Sequence, residues 1–575
     1  MTRGAQTKDQ VARSFKGRVM LLMFVFAATG VALAGRAVHL QVLSKDFLND
    51  QADSRHLRTE KISAHRGAIT DRNGEPLAIS TPVDSIWAEP KKLATAIDKV
   101  GPLAKLLGMD QEDLIVRIAA GANKEFIYLK RHLSPADAER VLSLELPGVN
   151  RLREYRRYYP SGEVAGHLVG FTNIDDEGQA GLEQAYDGWL AGEPGKKQVL
   201  KDRYGRSIEN VASIRPAKHG KTLRTSIDLR VQYFAYRTLK SAIQRYTAES
   251  GSIVVLDVKT GEVLGMANQP GYNPNDRSQY LPERYRNRAV TDLFEPGSSI
   301  KPLIIASALE SGEYRPSSVV NTAPGFVEVG PKRIEDKRNL GEISLTTILA
   351  RSSNVGITKL AMTLPPEQMW TTLSRFGLGQ LTGSAFPGET RGSLRPYEDW
   401  RPISQATMAY GYGLSVSALQ LAQAYAAIGN GGIAHPVSLL ALEEDTTESN
   451  VVRAATADAV RRMLEEVVRP AGTGIEAAVT GYRVAGKTGT AWKAEGGSYS
   501  KDEYISIFAG LAPATDPRLA VVVVIDEPRG ELYYGGDVAA PVFSDVMAEA
   551  LRLLAVAPDA VPAASPTTVA QALDR

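Results

Sequence analysis

The sequence predicts an α+β protein in which an antiparallel five-stranded sheet is flanked by helices. Three observations lead to this prediction. An apolar run lies near the N-terminus, residues 41–224 mix strand-like and helical patterns, and residues 225–555 contain strand patterns interrupted by a long helical segment. An antiparallel sheet with its helices segregated on the faces defines the α+β class. The apolar run predicts a single transmembrane helix ahead of both regions.

Residues 19–35 form an uncharged, mostly apolar run of 17 residues between two arginines, at the short end of what a spanning helix needs. The tail before it, residues 1–18, holds five basic residues and one acidic residue, which by the positive-inside rule keeps it cytoplasmic. We therefore predict a membrane anchor over residues 19–40. A cleaved signal peptide is the alternative, because residues 32–34 read Ala-Leu-Ala, a small-residue cleavage pattern.

The region after the anchor, residues 41–224, carries no constellation of nucleophile and base. Its residues 94–144 indicate several amphipathic helices, so we predict a mixed α/β domain without chemistry of its own.

Residues 225–555 contain the strand patterns of the predicted sheet. Two strands fall within residues 252–269, and the others are predicted at residues 485–493, 504–512 and 519–526, with a closing helix at 541–554. Between the second and third strands the apolar periodicity is helical. Residues 556–575 are rich in Ala, Pro and Thr, which predicts a loose C-terminal tail.

Composition excludes several functions. The 67 basic and 65 acidic residues leave a formal charge of +2, so nothing indicates binding to nucleic acid. Cysteine is absent, and the 7 histidines show no zinc-ligand spacing. We therefore predict neither a metal nor a cofactor.

Three short motifs stand in one order: Ser298-Ser-Ile-Lys301, Ser352-Ser-Asn354 and Lys487-Thr-Gly-Thr490. Each pattern alone is weak evidence, because SxxK recurs at Ser498 and Lys-Thr-Gly recurs at Lys259. The order and the context of the three together predict a serine acyl-transfer site.

Local context separates the first motif from its copy. Ser298 follows Glu-Pro-Gly and precedes an apolar helical stretch, so it lies at a helix N-terminus with Lys301 one turn later on the same face. A lysine there can take the serine proton and activate the hydroxyl. Ser498 lies in a glycine-containing turn, and Lys259 lies in a hairpin. Glu295 either orients the helix start or favours its dipole, and we assign it no catalytic role.

The ordered motifs resemble those of the penicillin-binding proteins. The chain is most similar to the class B, monofunctional peptidoglycan transpeptidases of the septal, FtsI type. The resemblance covers roughly residues 19 to 555. Beyond the three motifs it is carried by Arg66-Gly-Ala-Ile-Thr-Asp-Arg-Asn-Gly74, Tyr158-Tyr-Pro-Ser-Gly162, Ala165-Gly-His-Leu-Val-Gly170, Gly181-Leu-Glu183, Asp202-Arg-Tyr-Gly-Arg206 and Tyr410-Gly-Tyr-Gly-Leu-Ser415. One departure is Trp492, where similar proteins usually carry Arg or Lys.

The resemblance implies a penicillin-recognising transpeptidase fold over residues 225–555 and a non-catalytic, partner-binding pedestal over residues 41–224. It implies a single-pass protein of the bacterial inner membrane with its catalytic domain in the periplasm. Because the pedestal replaces the glycosyltransferase module of class A enzymes, glycan polymerisation would come from a partner, a SEDS-type polymerase similar to FtsW, alongside other division proteins.

The resemblance also implies roles for the motif residues. Ser298 would attack the carbonyl between the terminal D-alanines of a peptidoglycan stem pentapeptide, with Lys301 as its base. Ser352 and Asn354 would relay a proton and hold the substrate amide. β-Lactam antibiotics would acylate the same serine.

The third motif would bind the terminal carboxylate of the substrate. Lys487 would supply charge and lower the pKa of Lys301, Thr488 and Thr490 would donate hydrogen bonds, and Gly489 would permit close approach. The oxyanion hole would consist of the backbone N–H groups of Ser298 and Thr490.

Five tyrosines are candidates for the walls of the cleft, although packing in the core or in loops explains each of them equally well. They are Tyr410, Tyr412, Tyr504, Tyr533 and Tyr534.

Other functions remain as alternatives. A β-lactam hydrolase would share the acylation step but needs an efficient base for deacylation. A β-lactam-binding sensor needs an output domain, for which the predicted cytoplasmic segment leaves no room. A catalytically inactive scaffold would keep the motifs without turnover.

We expect Ser298→Ala to abolish covalent labelling by a fluorescent penicillin while leaving the fold intact, because Ser298 has both a helix start and a neighbouring base. The control is Ser498→Ala, which should label normally. Labelling that survives in Ser298→Ala and disappears in Ser498→Ala would show that the other SxxK is the reactive one.

Overall fold

A computed structural model describes residues 5–45, 57–201, 207–443, 447–495 and 498–560 of the chain. The motif at residues 202–206 and nearly all of the predicted C-terminal tail lie outside these residues. The chain divides into two compact units. The first comprises residues 1–64, 83–154 and 193–218, and the second comprises residues 65–82, 155–192 and 219–575. The second unit thus takes in two segments that precede the expected boundary at residue 224.

The N-terminal helix α1 (Ala5–Val38) continues as a π-helical turn, His39–Leu43. Within the described part of the chain, one helical stretch is long and apolar enough to cross a membrane. It runs over Lys16–Leu43 with a mean hydropathy of 1.9. Its large side chains are exposed, with Phe26 at 74%. Apolar side chains without protein neighbours favour a lipid environment.

Between the N-terminal helix and residue 225, the described residues form eight strands and seven short helices. The strands are β1 (Leu57–Ile62), β2 (Ile69–Thr70), β3 (Pro76–Ala88), β4 (Ile127–Leu133), β5 (Val149–Tyr158), β6 (Gly195–Lys201), β7 (Ser207–Arg215) and β8 (Leu223–Arg224). The helices are α2 (Pro90–Leu93), α3 (Val100–Leu107), α4 (Gln111–Ala120), α5 (Pro135–Leu142), α6 (Gly166–Val169), α7 (Gly181–Ala185) and α8 (Asp187–Leu190).

The first unit contains the antiparallel sheet β1-β6-β7 and a separate small core. In that core, apolar faces of α3 and α4 pack against the C-terminal half of β3 and against β4, with Leu103, Leu114 and Leu129 fully or almost fully buried. The amphipathic helices predicted between residues 94 and 144 are therefore present, because each has one apolar face to bury.

The second unit is built on a five-stranded antiparallel sheet. Its strands are β9 (Ser250–Asp257), β10 (Val263–Gln269), β17 (Ala485–Glu495), β18 (Ser498–Ala512) and β19 (Leu519–Asp526), in the order β10-β9-β19-β18-β17. The predicted α+β class is confirmed. Strand β17, which carries the third motif, lies at an edge of the sheet, so one side of its backbone is open to other elements.

This unit also contains the following helices and short strands. The helices are α9 (Leu229–Arg245), α10 (Pro282–Tyr285), α11 (Arg288–Thr291), α12 (Lys301–Glu310), α13 (Leu345–Arg351), α14 (Asn354–Ala361), α15 (Pro366–Arg375), α16 (Pro402–Met408), α17 (Ala418–Gly429), α18 (Ala454–Val468) and α19 (Ala539–Leu553). The short strands are β11 (Val319–Asn321), β12 (Phe326–Val329), β13 (Lys332–Glu335), β14 (Glu342–Ser344), β15 (Ile433–Ala434) and β16 (Ser449–Asn450).

Side chains of the central strands alternate between two cores. On β9, Ile253 and Val255 belong to the core that contains α9 and α19, whereas Val254 and Leu256 belong to the larger core that contains α12 and α17. A strand with both faces covered reads as a continuous apolar run, which is why the sequence at this strand shows no polar alternation.

A buried ionic cluster ties together two sequence segments that carry the family resemblance. Arg66, at 1% exposure, donates through Nε to Glu183 Oε2 at 2.7 Å and through Nη1 to Asp187 Oδ1 at 2.7 Å. Arg157 donates to the other oxygen of Glu183. Because both Glu183 oxygens are paired, the carboxylate is buried without an unmet charge.

We expect Arg66→Ala to lower the free energy of unfolding of the second unit by about 3 kcal/mol, because it leaves Glu183 short of a partner in a buried site. The control is Arg552→Ala, whose ion pair with Glu549 lies at the surface with the Arg552 side chain 67% exposed; its removal should cost about 0.5 kcal/mol or less. Denaturation followed by loss of penicillin binding measures both. Equal losses in the two variants would contradict a structural role for the cluster.

Candidate active site

Ser298 lies in a single 3-10 turn, Gly297–Ile300, that leads directly into α12. The predicted position at a helix start is therefore confirmed. Lys301 is the first residue of α12 and is 0% exposed, while Ser298 is partly exposed. Gly297 has φ +52°, a left-handed conformation that glycine adopts without strain, and this turns the chain into the helix.

The amine of Lys301 is held by the second motif. Its Nζ donates to the Ser352 carbonyl oxygen at 2.7 Å and to Asn354 Oδ1 at 2.8 Å, and it lies 3.3 Å from Ser352 Oγ. Ser352 ends α13 in the left-handed conformation, with φ +56°, and Asn354 begins α14. The break between these helices brings the carbonyl and the hydroxyl of one residue to the same amine.

Lys487 approaches the same hydroxyl from the edge strand β17. Its Nζ donates to Ser352 Oγ at 3.1 Å, to the Thr488 carbonyl oxygen at 3.1 Å and to Thr488 Oγ1 at 3.2 Å. Like Lys301, it is 0% exposed. One hydroxyl, Ser352 Oγ, therefore bridges two buried lysines.

Burial is the largest influence on the pKa values of Lys301 and Lys487. Desolvation, followed by the Lys487 cation, holds the pKa of Lys301 well below its ordinary value, and Asp336 acts in the opposite direction. Desolvation also lowers the pKa of Lys487 to about 7. Because both pKa values are lowered, the pair loses its first proton at a lower pH than exposed lysines would.

The hydrogen bonds are compatible with a neutral Lys301 beside a charged Lys487. A neutral amine has two N–H donors and one lone pair, and the two short contacts of Lys301 use the donors. A charged ammonium has three donors, and Lys487 has three acceptor oxygens around it. The two short contacts leave the lone pair of a neutral Lys301 unused, and within the described residues Ser298 Oγ makes no hydrogen bond.

The other residues of the third motif bring β17 close to the nucleophile. A side chain at Gly489 would meet the Pro296 carbonyl oxygen at 2.9 Å, so this close approach requires glycine. Thr488 Oγ1 lies 2.8 Å from Thr473 Oγ1, and Thr490 Oγ1 accepts from the Gly535 N–H at 2.9 Å. Both threonine hydroxyls are thus fixed by neighbours.

The five candidate tyrosines fall into two groups. Tyr410 and Tyr412 lie with their ring centroids 5.6 Å apart, and Tyr412 is also 6.2 Å from Trp492. In the other group Tyr504 stacks on Tyr533 at 4.1 Å, and Tyr533 lies 4.4 Å from Tyr534. Tyr410 is buried, whereas Tyr534 is 39% exposed. Burial raises the pKa of Tyr410 to about 12, so its hydroxyl stays protonated.

Sequence reasoning missed two residues that support the motifs. The Asp336 carboxylate accepts from the backbone N–H of Asn354 at 2.6 Å and from that of Val355 at 3.1 Å, and it also accepts from the Ser353 hydroxyl. It therefore caps α14 and fixes the asparagine that contacts Lys301. Thr473 is the second. Neither stands in a recognisable motif, because each contact joins residues that are distant in sequence.

Within the described ranges, no three His, Cys, Asp or Glu side chains are grouped so that they could hold a metal ion.

Comparisons with known proteins agree with this geometry. The penicillin-binding protein transpeptidase domain matches residues 251–548, and the penicillin-binding protein dimerisation domain matches residues 61–225. The peptidoglycan D,D-transpeptidase FtsI of Escherichia coli is 43% identical over 565 residues, covering 97% of this chain and 96% of that protein.

Two solved structures are also similar. The transpeptidase domain of Burkholderia pseudomallei penicillin-binding protein 3 is 43% identical with a TM-score of 0.55, covering 59% of this chain and 98% of that one. Penicillin-binding protein 3 of Mycobacterium tuberculosis, solved in complex with aztreonam, is 29% identical with a TM-score of 0.68, covering 87% and 98%. The chain belongs to the penicillin-binding proteins, in the class of serine-type peptidoglycan D,D-transpeptidases that includes FtsI.

We expect Lys487→Ala to slow acylation by penicillin about a hundredfold, because it removes a charged hydrogen-bond donor from the site. It also removes a cation that lowers the pKa of Lys301, so that pKa rises and Lys301 becomes neutral only at higher pH. The acidic limb of the pH profile of acylation should therefore move to higher pH.

The control for this variant is Lys493→Ala on the same strand. Lys493 pairs with Asp526 at 3.3 Å and with Glu527, away from Ser352. Its loss should change acylation by about threefold or less. Equal losses in both variants, with no displacement of the profile in Lys487→Ala, would contradict the assignment.

Proposed function

We propose that this protein cross-links peptidoglycan stem peptides through an acyl-Ser298 intermediate, with the motif residues in the following roles. The observation that carries the proposal is the hydroxyl of Ser352, which lies within hydrogen-bond distance of two buried lysines, Lys301 and Lys487, whose pKa values are lowered by burial. Serine acyl transfer needs a base that is neutral at working pH, and this arrangement supplies one.

In the first step, the lone pair of Lys301 takes the proton of Ser298 Oγ while that oxygen attacks the carbonyl between the terminal D-alanines. The bond between Oγ and the carbonyl carbon forms, and the carbonyl oxygen becomes an oxyanion. The backbone N–H groups of Ser298 and Thr490 stabilise it, each contributing about 3 kcal/mol in acyl-transfer enzymes generally.

In the second step, the C–N bond to the terminal D-alanine breaks. The proton held by Lys301 passes through the hydroxyl of Ser352 to the leaving nitrogen, along the 3.3 Å contact. D-Alanine departs as an amine, and the acyl group remains on Ser298. The carboxylate of that D-alanine is bound by Lys487, Thr488 and Thr490 before it leaves.

In the third step, an amine on a neighbouring stem peptide attacks the acyl-enzyme carbonyl. Its proton returns through Ser352 and Lys301 to Ser298 Oγ, which becomes the leaving group. The step regenerates the starting hydroxyl and leaves a new peptide bond between the two stems. A β-lactam enters at the first step and remains as a stable ester on Ser298.

We place this activity at the division septum, because the resemblance and the family relationship both favour the FtsI type. We further propose that residues 19–40 anchor the chain in the inner membrane with residues 225–555 in the periplasm. Residues 41–224 would then form the pedestal, and with the anchor they would contact a glycan polymerase similar to FtsW. The basic tail over residues 1–18 supports this orientation.

We expect a protein lacking residues 1–40 to remain soluble, to bind penicillin covalently, and to release D-alanine from a stem pentapeptide while forming cross-linked dimers. The motif residues lie wholly within residues 298–490, so the anchor only localises the enzyme. Mass spectrometry of the products measures all of these. Rapid release of penicilloate would indicate a hydrolase instead, and a folded but unreactive truncation would mean that the membrane segment completes the site.

A further inference from the structure

Arg351 is the last residue of α13 and immediately precedes Ser352, whose hydroxyl contacts both buried lysines. Its Nη1 donates to the Ala471 carbonyl oxygen at 2.7 Å, across a separation of 120 residues in sequence. Within the described part of the chain it forms no ion pair with a carboxylate. An arginine at a helix C-terminus interacts favourably with the helix dipole wherever its side chain points. The directed contact with Ala471 therefore needs a further explanation.

Ala471 belongs to a tight turn, residues 469–474, that follows α18. The Gly472 N–H donates to the Arg469 carbonyl oxygen at 2.7 Å, which closes the turn. A side chain at Gly472 would meet the Val467 carbonyl oxygen at 2.0 Å, so this position requires glycine. The turn is therefore held closely against the end of α18 and behaves as one unit.

The same turn reaches the third motif through Thr473. Thr473 Oγ1 lies 2.8 Å from Thr488 Oγ1, and Thr488 Oγ1 accepts from Lys487 Nζ at 3.2 Å. Lys487 Nζ in turn donates to Ser352 Oγ at 3.1 Å. Because Ser352 is covalently joined to Arg351, these contacts close a ring. We call it the motif ring, and it consists of Arg351, Ser352, the turn 469–474, Thr488 and Lys487.

A groove of about 420 Å³ lies between α13 and α18, and both Arg351 and Ala471 are in its wall. Ala350, Ala459 and Met463 supply apolar parts of the same wall. The Arg351 side chain therefore has open space on one side, and packing does not enclose it completely. The hydrogen bond to Ala471 is what fixes the direction of the guanidinium group.

We propose that Arg351 is a positioning residue for acyl transfer, which holds the turn 469–474 against α13 and thereby sets the distance between Ser352 and Lys487. The inference rests on the function proposed above and adds a residue to the same site. Hydrogen bonds weaken steeply as their geometry departs from the ideal. Loss of the contact between Arg351 and Ala471 therefore weakens the contacts that follow it around the motif ring.

The edge position of β17 explains why such a restraint is needed. Within the sheet, β17 pairs with β18 on one side only. The register between these strands is regular from Ala485 to Trp492, which fixes the position of Lys487 along the strand. It does not fix the distance from the open side of the strand to the helices. The motif ring spans that distance.

A change in this distance would alter the electrostatic environment of Lys301. The Lys487 cation on β17 lowers the pKa of Lys301, and Asp336, in the loop after β13, acts in the opposite direction. If Lys487 moves away, its effect weakens and the pKa of Lys301 rises, so Lys301 becomes neutral only at higher pH. A residue that only stabilises α13 would leave this pKa in place.

The test measures the second-order rate of acylation by benzylpenicillin as a function of pH, using the full-length protein in detergent. Arg351→Met keeps an unbranched side chain and removes the charge and the donors. The rate near neutral pH should fall about tenfold, the effect of losing one charged hydrogen bond. The acidic limb should move to higher pH by about half a unit or more. Arg351→Lys keeps a charged donor for a single carbonyl oxygen and should recover the rate to within about threefold.

The matched control is Arg462→Met, because Arg462 lines the same groove and pairs with Asp458 at 3.5 Å, with its side chain 65% exposed. Its rate should change by about twofold or less, with the acidic limb in place. An equal displacement in Arg462→Met, or none in Arg351→Met, overturns the proposal. A slower Arg351→Met protein whose acidic limb stays in place also overturns it. If Arg351→Met does not fold, Arg351→Gln, which is too short to reach Ala471, replaces it under the same criteria.

A double-mutant cycle with Thr473→Val tests the motif ring as a unit, since valine removes the hydroxyl and keeps the shape. Thr473→Val alone should slow acylation about tenfold. In the Arg351→Met background it should slow acylation further by about threefold or less, because the ring is already open. Losses that simply multiply contradict the motif ring. The assay follows acylation and not cross-linking, so its failure leaves the proposed cross-linking reaction intact. Unaltered protein that is acylated but forms no cross-links would contradict the proposed function alone.

Discussion

The structure of this protein depends on one constraint, which is that two lysines are buried side by side and share one hydroxyl. Lys301 and Lys487 are both 0% exposed, and Ser352 Oγ lies within hydrogen-bond distance of each. Two ammonium groups cannot both remain charged there without a large desolvation cost. One of them gives up its proton more readily than an exposed lysine would, and in the proposed mechanism Lys301 is that lysine and acts as the base.

The fold supplies this arrangement from three separate elements. Lys301 begins α12, Ser352 lies at the break between α13 and α14, and Lys487 comes from the edge strand β17. Each position depends on a local backbone feature: the glycine turn before Ser298, the left-handed Ser352, and Gly489 against the Pro296 carbonyl oxygen. Since β17 is an edge strand, its open side faces the serine loop and not another strand. The five-stranded sheet thus fixes one lysine, and the helices fixed on its face position the other.

The fold and the motif residues could be predicted from the sequence because both leave local signals. The five strands, the helix start at Ser298 and the closing helix α19 follow from apolar periodicity and from glycine and proline positions. The supporting residues left no such signal. Asp336 caps α14 from a loop distant in sequence, and Thr473 contacts Thr488 across two elements.

The hydrogen-bond partners of Glu295 could not be predicted from the sequence. Its place before the helix suggested a role at the helix start, whereas its carboxylate accepts from Gly413 and from Tyr499. No sequence pattern near residue 295 indicates those partners. The same holds for the contacts among Tyr410, Tyr412, Trp492 and Tyr499, since these residues come from one loop and from strands β17 and β18 and meet only in three dimensions.

Burial of the lysine pair also lowers the stability of the folded protein. Lys487 has its pKa lowered from 10.5 to about 7 by burial, so between these values the unfolded chain binds more protons than the folded one. The free energy of unfolding therefore rises as the pH increases from about 7 to 10.5. Below about pH 7 Lys487 is charged in both states, and the whole cost of burying its charge remains. A shift of this size corresponds to roughly 5 kcal/mol, a large part of what a typical domain possesses. Such a cost persists only if the surrounding core is large enough to offset it. The two apolar cores on either face of the sheet provide burial that can offset such a cost.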